Sequence, residues 1–362
     1  MKTILRTFVG CTAILFGTAC MGAVKYVPEN MKVELSLKVP GNNAVNYKLH
    51  PDKLENSYFD YEWRSDNKLP ITVFHKVEER DSCMRLTVQL TAAQDVYFNY
   101  RQLLSTGYRH DNCQFYMPGF WYRRNLRSPK KAPSFHTSDS WLVREDRLSA
   151  PLTGIFSEKE KRFMTVNRLD DFSMDALATH KEGEIILSGK TSLGFTGFEN
   201  QQGIAMLSFG FPYREAPKSY IRKLTLAPEV EAFQLMKKGE SVLLTWEIME
   251  SGADDFSDFI QHTWEHCYDT YAPKPVENSY SIADMKQVLS CFFVNSLVDN
   301  QPLVYNSGIH LKVSDCERNG QAEVGFIGRV LLNAFNAWEY GWQSNREELK
   351  VNSTKDRKST RL

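Results

Sequence analysis

The sequence predicts a β-rich N-terminal supersandwich followed by the first helices of an incomplete α-helical domain, an α+β multidomain organisation. Its 362 residues, 42% of them hydrophobic, are enough for a large buried core and make two domains the leading expectation. From Val33 to about Met249 apolar residues alternate with polar ones at period two. After Ser251 the period changes to that of an amphipathic helix.

Short alternating runs, separated by Gly, Pro, Asn and Asp, predict the strands of the first domain. The predicted strands are Val33–Val39, Met84–Leu90, Val96–Tyr100, Phe163–Val166, Glu184–Ser188, Ile204–Phe211 and Val242–Ile248. No helical period interrupts them, which favours one large antiparallel β-sandwich over residues 26–250.

Two amphipathic helices open the second domain, residues 251–355. Apolar residues of the stretch Phe256–Tyr271 fall on one helical stripe, and Pro273 ends it. The second helix is expected to start at Ser281, because Asp284 stands three residues later as its capping-box partner.

A third helix is predicted from about Ala322 to Tyr340, with Gly341 in the left-handed C-cap position. The connection Asp299–Arg318 before it has about 20 residues, a length typical of a functional loop in a compact domain. Three amphipathic helices need partners for their apolar faces. We therefore expect residues 251–355 to be the start of an α-helical repeat domain.

The N-terminus predicts export. Two basic residues precede the apolar run Phe8–Phe16, and small residues with Cys20 follow, so residues 1–20 have the layout of a signal peptide. Cys20 resembles the lipidated cysteine of a bacterial lipoprotein, although Gly17 stands where Leu is usual. Plain cleavage near Ala19 or Ala23 is the alternative. We expect a protein secreted across the bacterial inner membrane that is periplasmic or anchored to the outer membrane.

The C-terminus carries a different signal. Residues 356–362, Asp356–Leu362, resemble the translation of a common sequencing-adaptor read. We expect an assembly artefact after Lys355 and a longer natural gene. A solvated basic tail is the alternative.

Composition limits the function classes. Lys plus Arg and Asp plus Glu number 44 each, so no net field draws the chain to nucleic acid or to an acidic membrane. No GxSxG, P-loop or Rossmann pattern occurs, which argues against α/β-hydrolases and nucleotide enzymes. No cofactor is predicted. Aromatic residues make up 12% of the chain, and rings that stack on sugars are one use of this surplus, an aromatic-rich sheet being the other.

Without Cys11 and Cys20 five cysteines remain, an odd number with no CxxC or other metal-ligand spacing, so the sequence implies neither a disulfide framework nor a metal site. A pairing of Cys83 with Cys113 stays open in an oxidising compartment. Cys267 and Cys291 are expected to be buried free thiols on apolar helical faces.

A histidine pair on the first helix could bind zinc. His262 and His266 lie four apart on the first helix, but the sequence offers no HExxH pattern or third ligand. A partly exposed polar helix face is favoured over zinc.

Candidate binding residues lie in two neighbouring segments that read as loops or strand ends. The candidates are Trp121, Tyr122 and Arg123 in the first segment and Arg144, Asp146 and Arg147 in the second. Aromatic rings beside guanidinium groups suit an acidic sugar, since the rings stack on the pyranose and arginine takes the carboxylate bidentately. For the second segment, an ion-pair staple between loops is an equal alternative.

The candidate catalytic residue is Glu323, in the first turn of the third helix and close to the loop that ends at Arg318. A surface glutamate favoured there by the helix dipole is the alternative. Glycosidases need a second carboxylate, for which Asp299, Asp315 and Glu317 are loop candidates without a motif.

The runs Pro118–Asn125, Trp141–Leu148 and Glu323–Arg329 together resemble secreted polysaccharide-degrading proteins that place a β-sandwich before an (α/α)6 toroid. The nearest family is glycoside hydrolase family 154, the β-glucuronidases, and the likeness covers about Tyr26–Trp342. The resemblance implies an exo-acting hydrolase that removes glucuronic acid from glycan ends, with its acid and its base or nucleophile on the toroid. Residues 251–355 would be the start of that toroid, and no family catalytic residue can be transferred to a matched position.

The leading hypothesis is therefore that this chain is a fragment of a glycoside hydrolase that releases glucuronic acid from an acidic oligosaccharide or polysaccharide. The fragment itself is expected to be inactive. A polysaccharide lyase of the same architecture, in which Tyr or His removes a proton while Arg neutralises the carboxylate, is one alternative. A non-catalytic surface glycan-binding lipoprotein is the other.

Overall fold

The computed structural model describes residues 27–359 except 81–82, 127, 129–130, 171–181, 276, 278, 296, 299–303, 306–308, 312–315 and 319–328. The strands are β1 Met31–Lys38, β2 Val45–Lys53, β3 Tyr61–Arg64, β4 Ile71–Glu79, β5 Cys83–Ala92, β6 Val96–Arg109, β7 Cys113–Met117, β8 Trp121–Arg123, β9 Trp141–Arg144, β10 Leu152–Ser157, β11 Arg162–Arg168, β12 Gly183–Ile186, β13 Phe195–Gln201, β14 Ile204–Phe211, β15 Arg214–Arg222, β16 Thr225–Met236, β17 Ser241–Gly252, β18 Leu297–Val298, β19 Val304–Tyr305, β20 Ile309–Leu311 and β21 Cys316–Arg318. The helices are α1 Phe256–Tyr271, α2 Ile282–Asn295, α3 Arg329–Gln343 and α4 Glu347–Ser359. The contacts divide the chain into two units at Ala272–Pro273.

The first unit corrects the predicted sandwich. Among the described residues, strands β1 to β17 belong to one 17-stranded hydrogen-bonded sheet, and it is mixed, because β12 pairs with β16 in parallel. The alternating pattern predicts that each strand is half-buried, but it does not predict which strands pair with one another. β6, for example, is 14 residues long and pairs along its length with β1, β14 and β16, which joins ladders that a sandwich would keep apart.

Period two does decide which side chains enter the core. In β5, Leu86, Val88 and Leu90 are fully buried, while the residues between them are partly exposed. The same strand pairs with β17 in a nine-residue antiparallel register from Thr91↔Ser241 to Cys83↔Met249.

The first unit ends with α1, which begins and ends as the sequence predicts. The Asp255 carboxylate accepts hydrogen bonds from the backbone N–H groups of Ser257 and Asp258 at 2.7 and 3.0 Å and caps the helix. Phe259 packs onto Gly154 of β10, where a Cβ atom would lie 2.5 Å from its ring. Glycine at this position lets the helix approach the sheet.

The second unit, Pro273 onward, corrects the predicted toroid start. Within its described residues, α2, α3 and α4 are accompanied by two short hairpins, β18–β19 and β20–β21, where helical hairpins of a toroid were expected. The predicted capping box of α2 is present, since the Asp284 N–H donates to Ser281 Oγ at 3.1 Å and the Ser281 N–H donates to the Asp284 carboxylate at 3.0 Å. Cys291 of α2 is exposed, so its predicted burial is wrong.

α3 also departs from the prediction at its C-terminus. The helix continues through Gly341, and the left-handed residue is Asn345, with φ 54°. A Cβ atom on Gly341 would lie 3.0 Å from Leu349 Cβ of α4. The glycine therefore serves the close approach of two helices and does not end one.

None of the helices in the described ranges is long and apolar enough to cross a membrane. The predicted signal segment, with Cys20, lies outside the described residues, as do Glu323 and the last three residues.

Candidate functional site

A surface cleft of about 940 Å³ lies in the first unit, beside β7 and β8. Its lining is rich in polar groups and consists of Asp111, Gln114, Tyr122, Arg123, Arg124, Asn125, Leu126, Ser128 and Glu158. It contains two of the six predicted binding residues, Tyr122 and Arg123. We call it the Tyr122–Arg123 cleft.

The turn that follows β8 shapes one wall of this cleft. Arg123 and Asn125 both have positive φ, 58° and 47°, a region that side chains other than glycine rarely adopt. The Asn125 amide stabilises the turn, because it accepts from the Tyr122 N–H at 3.1 Å and donates to the carbonyl oxygens of Phe120 and Pro133. The backbone is thus held in a strained form that positions Tyr122 and Arg123.

Tyr122 supplies an exposed aromatic ring. Its side chain is 51% exposed, and its ring rests 5.4 Å from the buried ring of Tyr116. The Gly119 N–H donates to the Tyr122 hydroxyl at 3.4 Å. A half-exposed ring that is held in place by Tyr116 and Gly119 is suited to stacking on a sugar face.

Arg123 supplies positive charge. Its Nη1 donates to Gln114 Oε1 at 3.0 Å, and Gln114 Nε2 in turn donates to Glu158. Its guanidinium also lies 4.8 Å from the Phe256 ring centroid of α1. Among the described residues Gln114 is its one hydrogen-bond acceptor, so most of its donors remain available to a ligand.

Arg124 is used by the fold itself. Its guanidinium donates to the carbonyl oxygens of Cys113 at 3.2 Å, of His110 at 3.4 Å and of Asp111. It therefore holds the turn at 110–112 beneath the cleft.

The cleft also holds two carboxylates that sequence reasoning missed. Glu158 reaches it because β10 pairs with β7 in the register Ser157↔Cys113, and Asp111 lies in the turn before β7. Arg109, hydrogen-bonded to Asp111, holds the pKa of that carboxyl below its usual range. No local sequence signal links Glu158 to Arg123, since only strand pairing makes them neighbours.

Trp121 is not at the cleft surface. It is fully buried, with ring centroids of Trp141 at 5.8 Å and Phe198 at 5.1 Å, so its predicted stacking on sugar is wrong. Strand alternation explains the difference, because adjacent residues of β8 point to opposite faces, so Trp121 faces the core and Tyr122 faces outward. Arg123 is also exposed, since its positive φ departs from strand geometry.

The segment at the end of β9 lies outside the cleft and forms internal ion pairs. Arg144 pairs bidentately with Asp146 at 2.5 and 2.9 Å and stacks 5.3 Å from the Tyr213 ring centroid. Arg147 pairs with Glu215 and donates to the Tyr220 carbonyl oxygen at 2.6 Å. This geometry matches the alternative of a loop staple, and acidic-sugar binding by these residues stays a prediction.

A buried carboxylate, that of Glu145, lies in the same segment and was not among the predicted site residues. Glu145 is fully buried and accepts from Arg168 Nη1 at 2.6 Å and from the Gly194 N–H at 2.7 Å. Burial raises the pKa of its carboxyl, although the Arg168 charge acts in the opposite direction. Arg168 also donates to Asp170 at 3.0 Å. The turn after β9 is thereby tied to β11 and to the segment before β13.

Comparisons with known proteins give no family. No family model matches the chain, and no curated protein does. Similar solved structures include a polysaccharide lyase, at TM-score 0.32 and 13% identity over 65% of this chain and 27% of the lyase. They also include the Slr1438 protein of Synechocystis, at TM-score 0.32 and 7% identity over 60% of this chain and 73% of that protein. A GH36 α-galactosidase of Geobacillus stearothermophilus matches at TM-score 0.29 and 10% identity over 60% of this chain and 30% of the enzyme.

Two of these three are carbohydrate-active enzymes, and this chain spans less than a third of the length of either. TM-scores this low do not establish a common fold. Family 154 is not shown by any comparison. The assignment of function therefore depends on the Tyr122–Arg123 cleft.

Proposed function

We propose that the protein acts on an acidic carbohydrate and that the Tyr122–Arg123 cleft binds a uronic-acid unit of it. The observation that carries the proposal is the half-exposed Tyr122 ring beside the Arg123 guanidinium in one cleft of about 940 Å³. The ring offers a flat apolar surface to the pyranose, and the guanidinium offers paired donors to the carboxylate. Gln114 adds a side-chain amide and Ser128 a hydroxyl for the sugar hydroxyls.

The reaction we propose is hydrolytic release of glucuronic acid. Glycosidases of most families use two carboxylates, one as acid and one as base or nucleophile. Asp111 and Glu158 are the pair that the cleft offers. Asp111, whose pKa is lowered by Arg109, suits the ionised role. Export across the inner membrane, inferred from residues 1–20, would bring the protein to such glycans.

Binding is tested by calorimetry with glucuronic acid and, as a neutral counterpart, glucose. Arg123→Ala is expected to weaken glucuronate binding by about 1.5 to 3 kcal/mol, or about 10- to 150-fold in Kd, and to leave glucose binding nearly unchanged. Tyr122→Ala is expected to weaken both by about 2- to 10-fold, since stacking does not require charge. Arg144→Met serves as the control, because Arg144 is already paired with Asp146.

The outcomes separate the candidate functions. Loss of binding in folded Arg144→Met with none in Arg123→Ala would contradict the cleft and favour the β9 segment. Release of the aryl group from an aryl β-glucuronide, abolished by Glu158→Gln, supports hydrolysis. An unsaturated product absorbing in the near ultraviolet identifies a lyase, and affinity without either product identifies a binding protein.

A further inference from the structure

A second cluster of reactive side chains lies away from the Tyr122–Arg123 cleft, between the sheet and α1. Cys83 Sγ, a carboxylate oxygen of Glu247 and a ring nitrogen of His266 all lie within 4.8 Å of one another. The residues come from the first position of β5, from the middle of β17 and from the third turn of α1. We call them the Cys–Glu–His cluster.

Strand register and helix packing create this cluster. In the β5–β17 ladder Cys83 faces Met249 and Arg85 faces Glu247, so all four side chains lie on one face of the sheet. α1 covers that face, and its Cys267 lies in the same buried cluster as Cys83 and Met249. His266, the preceding residue, is thereby brought to Glu247.

The three donors form a set suited to a borderline-soft divalent cation. Thiolate sulfur, imidazole nitrogen and carboxylate oxygen are the zinc ligands of proteins, whereas a thiolate is a poor ligand for calcium or magnesium. Cys83 is 5% and Glu247 3% exposed, which excludes most water from two of the donors. The His266 side chain is 23% exposed and gives the site a route to solvent.

The surroundings hold the carboxylate in place. Glu247 Oε1 accepts from Thr270 Oγ1 at 3.0 Å and contacts His266 Nε2 at 2.7 Å. Oε2 lies 3.5 Å from Arg85 Nη2. One oxygen thus faces the histidine and the other a fixed cation, an outer shell of the kind that orients metal ligands. On metal binding the contact between Glu247 and His266 would open, since both atoms then face the ion.

We propose that Cys83, Glu247 and His266 bind a zinc-like divalent cation, with the remaining coordination position open to solvent. The thiol proton of Cys83 leaves to solvent as the sulfur–metal bond forms. The ligands are far apart in the sequence and follow no spacing motif, which is why the sequence predicted no metal. His262 and His266 do not share a site, because His262 lies 3.6 Å from Asp258 while His266 lies beside Glu247.

The test uses purified protein treated with a chelator, dialysed, and kept reduced with a phosphine. Zn²⁺ is titrated by calorimetry, and Co²⁺ is titrated by absorption, because a sulfur ligand gives a charge-transfer band in the near ultraviolet. One equivalent of each metal and a sulfur-to-cobalt band are expected. Absence of zinc binding, or bound cobalt without the sulfur band, would overturn the proposal without any variant.

Variants then assign the ligands. Cys83→Ser is expected to remove the sulfur band. Cys83→Ser and His266→Gln are each expected to weaken Zn²⁺ binding by about 10- to 100-fold or more, because changes to outer-shell residues alone already cost that much. The matched controls are His262→Gln, one turn earlier on α1, and Cys113→Ser, a buried thiol of β7 outside the cluster. Both should bind metal as the unaltered protein does. A sulfur band that persists in Cys83→Ser, or equal losses in the controls, would refute the assignment.

Discussion

The buried pair of Glu145 and Arg168 allows a direct test of whether the segment after β9 is architecture. The Glu145 side chain is 0% and the Arg168 side chain 4% exposed, and they are joined at 2.6 Å. Arg168→Met would leave the Glu145 carboxylate with the Gly194 N–H as its remaining hydrogen-bond donor among the described residues, because Oε1 has no partner there. Removing one partner of a buried pair costs about 3 to 5 kcal/mol of unfolding free energy.

A change on the other side of the pair, Glu145→Gln, should lower the free energy of unfolding by less than Arg168→Met does. Glu145→Gln keeps an acceptor for the Gly194 N–H and leaves Arg168 its pair with Asp170 at 3.0 Å. The loss is then that of one charge-assisted hydrogen bond, about 1.5 to 3 kcal/mol. The double variant should cost less than the sum of the two, since the second change removes a charge that the first left unpaired.

The assay is urea unfolding of the four proteins, followed by tryptophan fluorescence, to which the fully buried Trp121, Trp141 and Trp246 contribute. The difference in midpoint at constant slope gives the change in unfolding free energy. The loss of unfolding free energy in Arg168→Met should also become smaller as the pH falls. Burial raises the pKa of Glu145, and protonation removes the buried charge. Equal and additive losses for the two single variants, unchanged at low pH, would refute the reasoning.

Three further predictions concern the fold. In Gly197→Ala the new Cβ would lie 1.9 Å from the Trp141 carbonyl oxygen, so β9 and β13 must separate and unfolding free energy should fall by about 3 kcal/mol or more, whereas Gly189→Ala, in open space, should be near neutral in the same urea assay. Burial lowers the pKa of His75 from 6.5 to about 3. Between these two pH values only the unfolded chain binds the proton, so the free energy of unfolding falls as the pH falls, by up to about 1.4 kcal/mol per pH unit. His75→Gln should lose this component, and a difference from the unaltered protein that stays constant from pH 7 to 4 would contradict it. Asp255→Ala should cost about 1 kcal/mol through loss of the α1 cap, measured by thermal unfolding, and an unchanged midpoint would show that the cap is not used.

Local features of this protein follow from its sequence alone. Period two placed Leu86, Val88 and Leu90 in the core, and the helical stripe with Pro273 after it placed α1 at Phe256–Tyr271. It also drew attention to Tyr122 and Arg123, because an aromatic ring beside a guanidinium is a chemical signal that a short stretch can carry. These features depend on residues within a few positions of one another.

Features that depend on contacts between distant residues emerge only in the folded protein. Alternation does not specify a strand's partners, so the continuous mixed sheet replaced the expected sandwich. Neighbouring residues of β8 face opposite ways, which put Trp121 in the core and Tyr122 in the cleft. Glu158 joined that cleft, and Cys83, Glu247 and His266 met, through strand register and helix docking. Contacts between residues so far apart in the chain are stabilised by the whole core, and no local pattern encodes them.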